Sequence, residues 1–145
     1  MKKLIILFIS ISSFSCNREA FLDRQDEKLL GNWEVRRVSQ TSNNRIISKN
    51  VTDEFQDFSV EFLDGNIMKW KTDNNLFSGS YQLFYYNDIY TGENGSEQSL
   101  RLEANLTDNN ANEKSIVLES VSVTQQRLRF NHREEGVSNE FVMKR

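Results

Sequence analysis

From residue 31 onward the chain alternates apolar and polar residues with a period of two, the pattern of half-buried strands rather than of helices. Residues 32–38 open the series with Trp33, Val35 and the more distant Val38. In residues 57–63, Phe58, Val60 and Phe62 share one face and Ser59 and Glu61 the other. Residues 67–72 put Met68 and Trp70 on one face, Lys69 and Lys71 on the opposite one. The turn between these runs follows from register. A two-residue Asp64-Gly65 loop sets Val60 opposite Lys69 and mixes the faces, whereas a three-residue Asp64-Gly65-Asn66 loop sets Phe62 opposite Met68 and Val60 opposite Trp70. The second also places Glu61 across from Lys69 as an ion pair, so it is the predicted register.

Residues 77–86 continue the series, with Phe77, Gly79, Tyr81, Leu83 and Tyr85 on one face. A glycine inside that row predicts a bend or room for a neighbouring side chain. After a polar loop around residues 92–97, Leu100, Leu102, Ala104 and Leu106 align. Residues 115–123 change phase between the pair Ile116, Leu118 and the pair Val121, Val123, which predicts a β-bulge near Glu119. Leu128 and Phe130, then Val137, Phe141 and Met143, mark two further runs. About eight short strands with no long helical pattern between them predict an all-β fold over residues 29–145, an antiparallel barrel or sandwich.

The first thirty residues read differently. Lys2 and Lys3, the apolar stretch 4–11 and the small or apolar residues 12–15 form an export signal too short to be a permanent membrane span. Ser13-Phe14-Ser15-Cys16 resembles a bacterial lipoprotein box of the relaxed, Bacteroidetes type, with serine where leucine is usual. The resemblance implies a signal peptide over 1–15, a lipidated Cys16 bearing palmitate-like chains, and anchoring in the membrane. With Asn17 rather than aspartate beside the anchor, it implies the cell outer membrane, on its periplasmic or surface face. Each buried methylene adds about 0.8 kcal/mol, so two or three chains hold such a protein almost irreversibly. Residues 16–28 are then the lipidated cysteine and a polar tether. Phe21, Leu22, Leu29 and Leu30 also suit a short helix lying across the end of the core.

Gly31-Asn32-Trp33 at the head of the first strand resembles the opening of lipocalin-like domains, and Gly79-Ser80-Tyr81 resembles their mid-domain strand. This lipocalin-like resemblance selects an up-and-down β-barrel, with Gly31 and Trp33 as fold signature. In lipocalins a basic residue from the final strand packs over the tryptophan. Lys144 and Arg145 lie in that region, but no motif singles out either, and neither is assigned the role.

The chain has 145 residues, one domain's worth, and a formal net charge of −3. Without Lys2 and Lys3 this becomes −5, from −3 minus two positive charges. No concentrated basic surface is evident in the sequence, which argues against a nucleic-acid partner. Catalysis is not expected, since the one histidine, His132, lies between Asn131 and Arg133 beside a turn and reads as a solvated surface residue. The carboxylates Asp53, Glu54 and Asp57, and Glu134 and Glu135, read as solvated charge runs. Asp108-Asn109-Asn110-Ala111-Asn112, with Glu119 at the twelfth position, has the oxygen spacing of a calcium loop. It lacks the glycine at position six and flanking helices, so an Asx-rich hairpin turn is the better account. No metal and no cofactor is predicted.

Binding remains. A small barrel fills its interior or holds one apolar ligand. For a small hydrophobic ligand the candidate lining is Phe58, Phe62, Trp70, Tyr81 and Tyr85, the tyrosines supplying hydroxyls to orient it. The alternative is a non-catalytic module that binds an envelope protein through an outer patch at Phe84, Tyr86 and Tyr90, over a packed core. A ligand binder keeps its interior partly empty. An interaction module is solid inside.

Overall fold

The computed structural model describes residues 18–42, 47–87 and 98–145. The expected signal peptide, Cys16 and Tyr90 lie outside the described residues, as does the side chain of Tyr86. The strands are β1 (Gly31–Ser42), β2 (Lys49–Asn50), β3 (Ser59–Leu63), β4 (Ile67–Lys71), β5 (Leu76–Asn87), β6 (Gln98–Thr107), β7 (Glu113–Val123), β8 (Arg127–Glu134) and β9 (Val137–Lys144). Each pairs antiparallel with the next from β3 to β9, and β1 pairs with both β3 and β9. The sheet therefore closes on itself as an up-and-down barrel of eight strands, with the two-residue β2 added along the far half of β1. Closure leaves no free edge among the eight.

The register of the β3–β4 hairpin is the one the alternation requires. Phe62 faces Met68, Val60 faces Trp70, and Glu61 faces Lys69, with Lys69 Nζ donating to Glu61 Oε2 at 2.8 Å. The three-residue turn is made possible by Gly65 and Asn66, both at positive φ. The bulge in β7 is also present: pairing with β8 shifts between Glu119 and Ser122, and Ser120 carries φ 52°. A second bulge, in β1 between Val35 and Arg37, was not legible in the alternation. It explains why the inward residues of β1 are Trp33, Val35 and then Val38 rather than Arg37. Gly79 makes room as expected, but for backbone rather than a side chain. A Cβ there would lie 2.0 Å from the Asn105 carbonyl oxygen of β6.

Of the two expectations for the segment before the barrel, helix and tether, the chain adopts the helix. Residues 18–29 form α1, which lies across one end of the barrel. Its inner side carries Leu29, fully buried, and Phe21 and Leu22 against the core. Among the contacts that fasten it, Tyr81 Oη donates to Asp26 Oδ1 at 2.7 Å, Trp33 Nε1 donates to Leu29 O at 2.7 Å, and Phe21 stacks on Tyr85 at 5.5 Å. The helix end of the barrel also carries the 64–66 turn and the last residue, Arg145. Hairpin turns 72–75, 108–112 and 135–136 lie at the opposite end, the mouth.

Between the ends the barrel axis is filled. Trp33, Phe62, Met68, Leu102, Leu106, Ile116, Leu118, Leu128, Phe130, Phe141 and Met143 are all under 2% exposed. A fully buried side chain of this size contributes about 1.5–3 kcal/mol, so this interior is the main source of the fold's stability.

Candidate functional site

The mouth is where inward-facing residues stop being uniformly apolar. Following Leu128 and Phe130 along β8, the next inward position is His132. Contrary to the expectation of a solvated surface histidine, it is only 7% exposed. The strand's two-residue period carries the side chain into the barrel, and its polar neighbours Asn131 and Arg133 face outward. The imidazole packs edge-on against Trp70 from β4, with ring centroids 5.4 Å apart. Nδ1 lies 3.2 Å from the Val117 carbonyl oxygen. A carbonyl only accepts, so Nδ1 carries a proton; in the uncharged form of the ring Nε2 is then an acceptor. Nε2 is buried and has no hydrogen-bond partner; Glu134 Oε2 lies 3.8 Å away. Leaving a buried polar atom unmatched costs about 1–3 kcal/mol. Such a cost is tolerated most readily where something else completes the bond.

Around His132 lies a recess of about 280 Å³. Its floor is aromatic. Phe58 meets Trp70 edge-on at 4.6 Å and Phe141 at 5.0 Å, and Phe141 stacks on Phe130 beneath. The rim is polar and includes Thr72, Asp73, Lys114, Glu134 and the buried Asn139, which accepts from Gln40 Nε2 at 3.3 Å. Lys114 and Glu134 pair across the rim at 3.2 Å. A short 3-10 turn, Thr52–Phe55, folds over one side and sets the Phe55 ring 5.2 Å from Phe141. An apolar floor with the unpartnered His132 nitrogen and a polar rim suits a small amphipathic molecule.

The five candidate ligand residues do not converge. Phe58 and Trp70 line the mouth recess. Phe62 and Tyr81 are buried at the helix end, in edge contact at 5.1 Å, and Tyr85 is covered by Phe21. The Tyr81 hydroxyl is committed to Asp26. Burial, then that hydrogen bond, then the charges of Asp26 and Asp64 push its ionisation well above the ordinary tyrosine range. Two-residue alternation places residues on a face but not at a height along the barrel, which is why one row was divided between two ends. Phe84, from the expected outer patch, is half-buried.

Asp108 holds the β6–β7 hairpin turn as an Asx cap. Its carboxylate accepts from the backbone N–H groups of Asn110 and Asn112 and from Asn112 Nδ2. Among the described residues no cluster of three or more His, Cys, Asp or Glu is placed to hold a metal ion.

The fold and site define a small closed antiparallel barrel, capped by a helix at one end and recessed at the other. Comparison with protein-family models, with curated proteins and with solved structures found no match.

Proposed function

We propose that this chain is a lipid-anchored lipoprotein of the bacterial cell outer membrane whose lipocalin-like barrel binds a small, mostly apolar molecule at its mouth, without catalysis. The observation that carries the binding reading is the recess itself: an aromatic floor from Phe58, Trp70 and Phe141 beside a buried His132 Nε2 with no partner. The filled interior directs the search to the mouth and away from a deep internal cavity. The export signal and the box ending at Cys16 support the anchor. The Trp33 environment, described below, supports the lipocalin-like reading.

The chain has two tryptophans, Trp33 and Trp70; both pair with Val60, from β1 and β4, so their backbones are about 10 Å apart across the sheet, and of the two Trp70 lines the recess. Titration with a hydrophobic fluorescent probe tests the reading through energy transfer. Binding at the mouth gives saturable transfer that Trp70→Phe reduces and that His132→Phe weakens. No saturable uptake by the folded chain contradicts it.

The packed interior specifically favours a second reading, a non-catalytic module that binds an envelope protein through its outer surface. Under that reading the probe finds no site at the mouth, and mouth substitutions leave partner binding intact.

A further inference from the structure

The recess at the mouth is aromatic at its floor and acidic at its rim. Three carboxylates line it, Glu54, Asp73 and Glu134, against the single ammonium of Lys114. That ammonium is already committed: it holds Glu134 Oε1 at 3.2 Å and lies 5.9 Å from the centre of the Phe77 ring. Glu54 has a long contact with Lys49, 3.9 Å, both side chains being well exposed. Asp73 makes no ion pair among the described residues. With the imidazole uncharged, three carboxylates against one ammonium leave the recess with a formal excess of negative charge.

A second observation is independent of those charges. His132 is 7% exposed, its Nδ1 is engaged at the Val117 carbonyl, and its Nε2, facing Glu134 on the rim, has no partner. Glu134 Oε2, the oxygen that Lys114 does not take, stands 3.8 Å from Nε2. Two acceptors at that separation fit around one group with several N–H donors, since each N–H···acceptor bond spans about 2.9 Å. The rings of Phe58, Trp70 and Phe141 add the same preference, because an aromatic face is negative and attracts a cation. An anion in this place would meet three carboxylates and a nitrogen lone pair. The volume, about 280 Å³, is just under the range of about 300–1,000 Å³ usual for small-molecule pockets, and suits a single ring with a short chain.

We infer that the occupant of the mouth is a small organic cation, an apolar amine whose hydrocarbon part rests on the aromatic floor and whose ammonium donates to His132 Nε2 and the Glu134 carboxylate, with Asp73 and Glu54 attracting it at longer range. The inference rests on the reading of the mouth as a binding site and narrows that reading to one class of ligand. The rim carboxylates are exposed, so water and salt screen them, and the preference for positive charge is several-fold rather than many orders of magnitude.

Three probes of similar shape test it: phenethylamine, phenethyl alcohol and phenylpropionate. Each is titrated into the full chain while the Trp70 indole N–H resonance, assigned with Trp70→Phe, is followed by NMR. The amine is expected to bind about fivefold more tightly than the alcohol, and the carboxylate more weakly than either. In D73N/E134Q, checked for a native circular dichroism spectrum, the advantage of the amine over the alcohol is expected to disappear. If the alcohol or the carboxylate binds as tightly as the amine, the mouth remains a binding site and the inference is overturned. An amine advantage that survives in D73N/E134Q also overturns it, since the rim carboxylates then do not supply the preference. If none of the three probes shifts the resonance saturably, the binding reading of the mouth fails and the inference falls with it.

Discussion

Arg145 lies over the face of Trp33, its guanidinium carbon 4.7 Å from the ring centroid. Its Nη2 also donates to the carbonyl oxygens of Lys28 at 2.7 Å and Leu30 at 2.6 Å. One cation therefore covers the fully buried indole and satisfies carbonyls at the C-terminal end of α1. Trp33 completes the arrangement by donating to Leu29 O. Gly31, at φ 122°, is needed at this junction: a side chain there would be strained by the backbone, though its Cβ would meet Arg145 only at contact distance, 3.5 Å.

Arg145→Ala is predicted to lower stability by about 1–2 kcal/mol, through the lost cation–π contact and two carbonyl bonds. Arg145→Lys should recover only part, since an ammonium keeps the charge but not the planar fork. Urea unfolding followed by tryptophan fluorescence measures both; equal stability of all three proteins contradicts the assignment.

Gly79→Ala is predicted to be severely destabilising, by about 3 kcal/mol or more, because its Cβ would meet the Asn105 backbone at 2.0 Å and a paired strand cannot yield. Gly65→Ala meets no atom within 4 Å but keeps φ at +78°, so its cost should be nearer 1 kcal/mol. Thermal melting of the two variants tests the order.

Acid should loosen the β6–β7 turn. Hydrogen bonds from Asn112 and Asn110 hold the Asp108 carboxyl below its ordinary value of 3.8. With the folded value depressed, the stabilisation is fully present above the ordinary value and is lost as pH falls through the lower one. The Asn112 side-chain amide resonances should therefore move together in that acid window, and should not titrate there in Asp108→Asn.

Phe55→Ala removes the ring that covers one side of the mouth. It should increase the association rate of a hydrophobic probe, with only a modest fall in thermal stability because Phe55 is half-buried. Stopped-flow mixing reads the rate; an unchanged rate places the entry path elsewhere.

Much of the barrel was legible because its determinants are local. Residue parity fixed the inward rows, a single register argument fixed the 64–66 turn, and the phase change after Leu118 located the bulge. The second bulge, at Arg36, left no such trace, because Trp33, Val35 and Val38 are too few to define a break in phase. His132 did carry a signal: it continues the row Leu128, Phe130, and its parity was outweighed by its polar neighbours. The mouth recess was not legible, because it joins Phe58 to residues from β4, β7, β8, β9, the 72–75 turn and the 3-10 turn, and period-two patterns contain no information on height. Likewise, nothing near Arg145 in the sequence indicates that it meets Trp33, more than a hundred residues earlier.

The central claim is that the mouth holds a small molecule, and native mass spectrometry of the mature protein, extracted gently from its own host's envelope, tests it most directly. The account predicts a reproducible extra mass that denaturation releases and that is diminished in His132→Phe. A bare protein mass, with no uptake of a hydrophobic probe by the same preparation, would contradict ligand binding at the mouth and move the function to the outer surface.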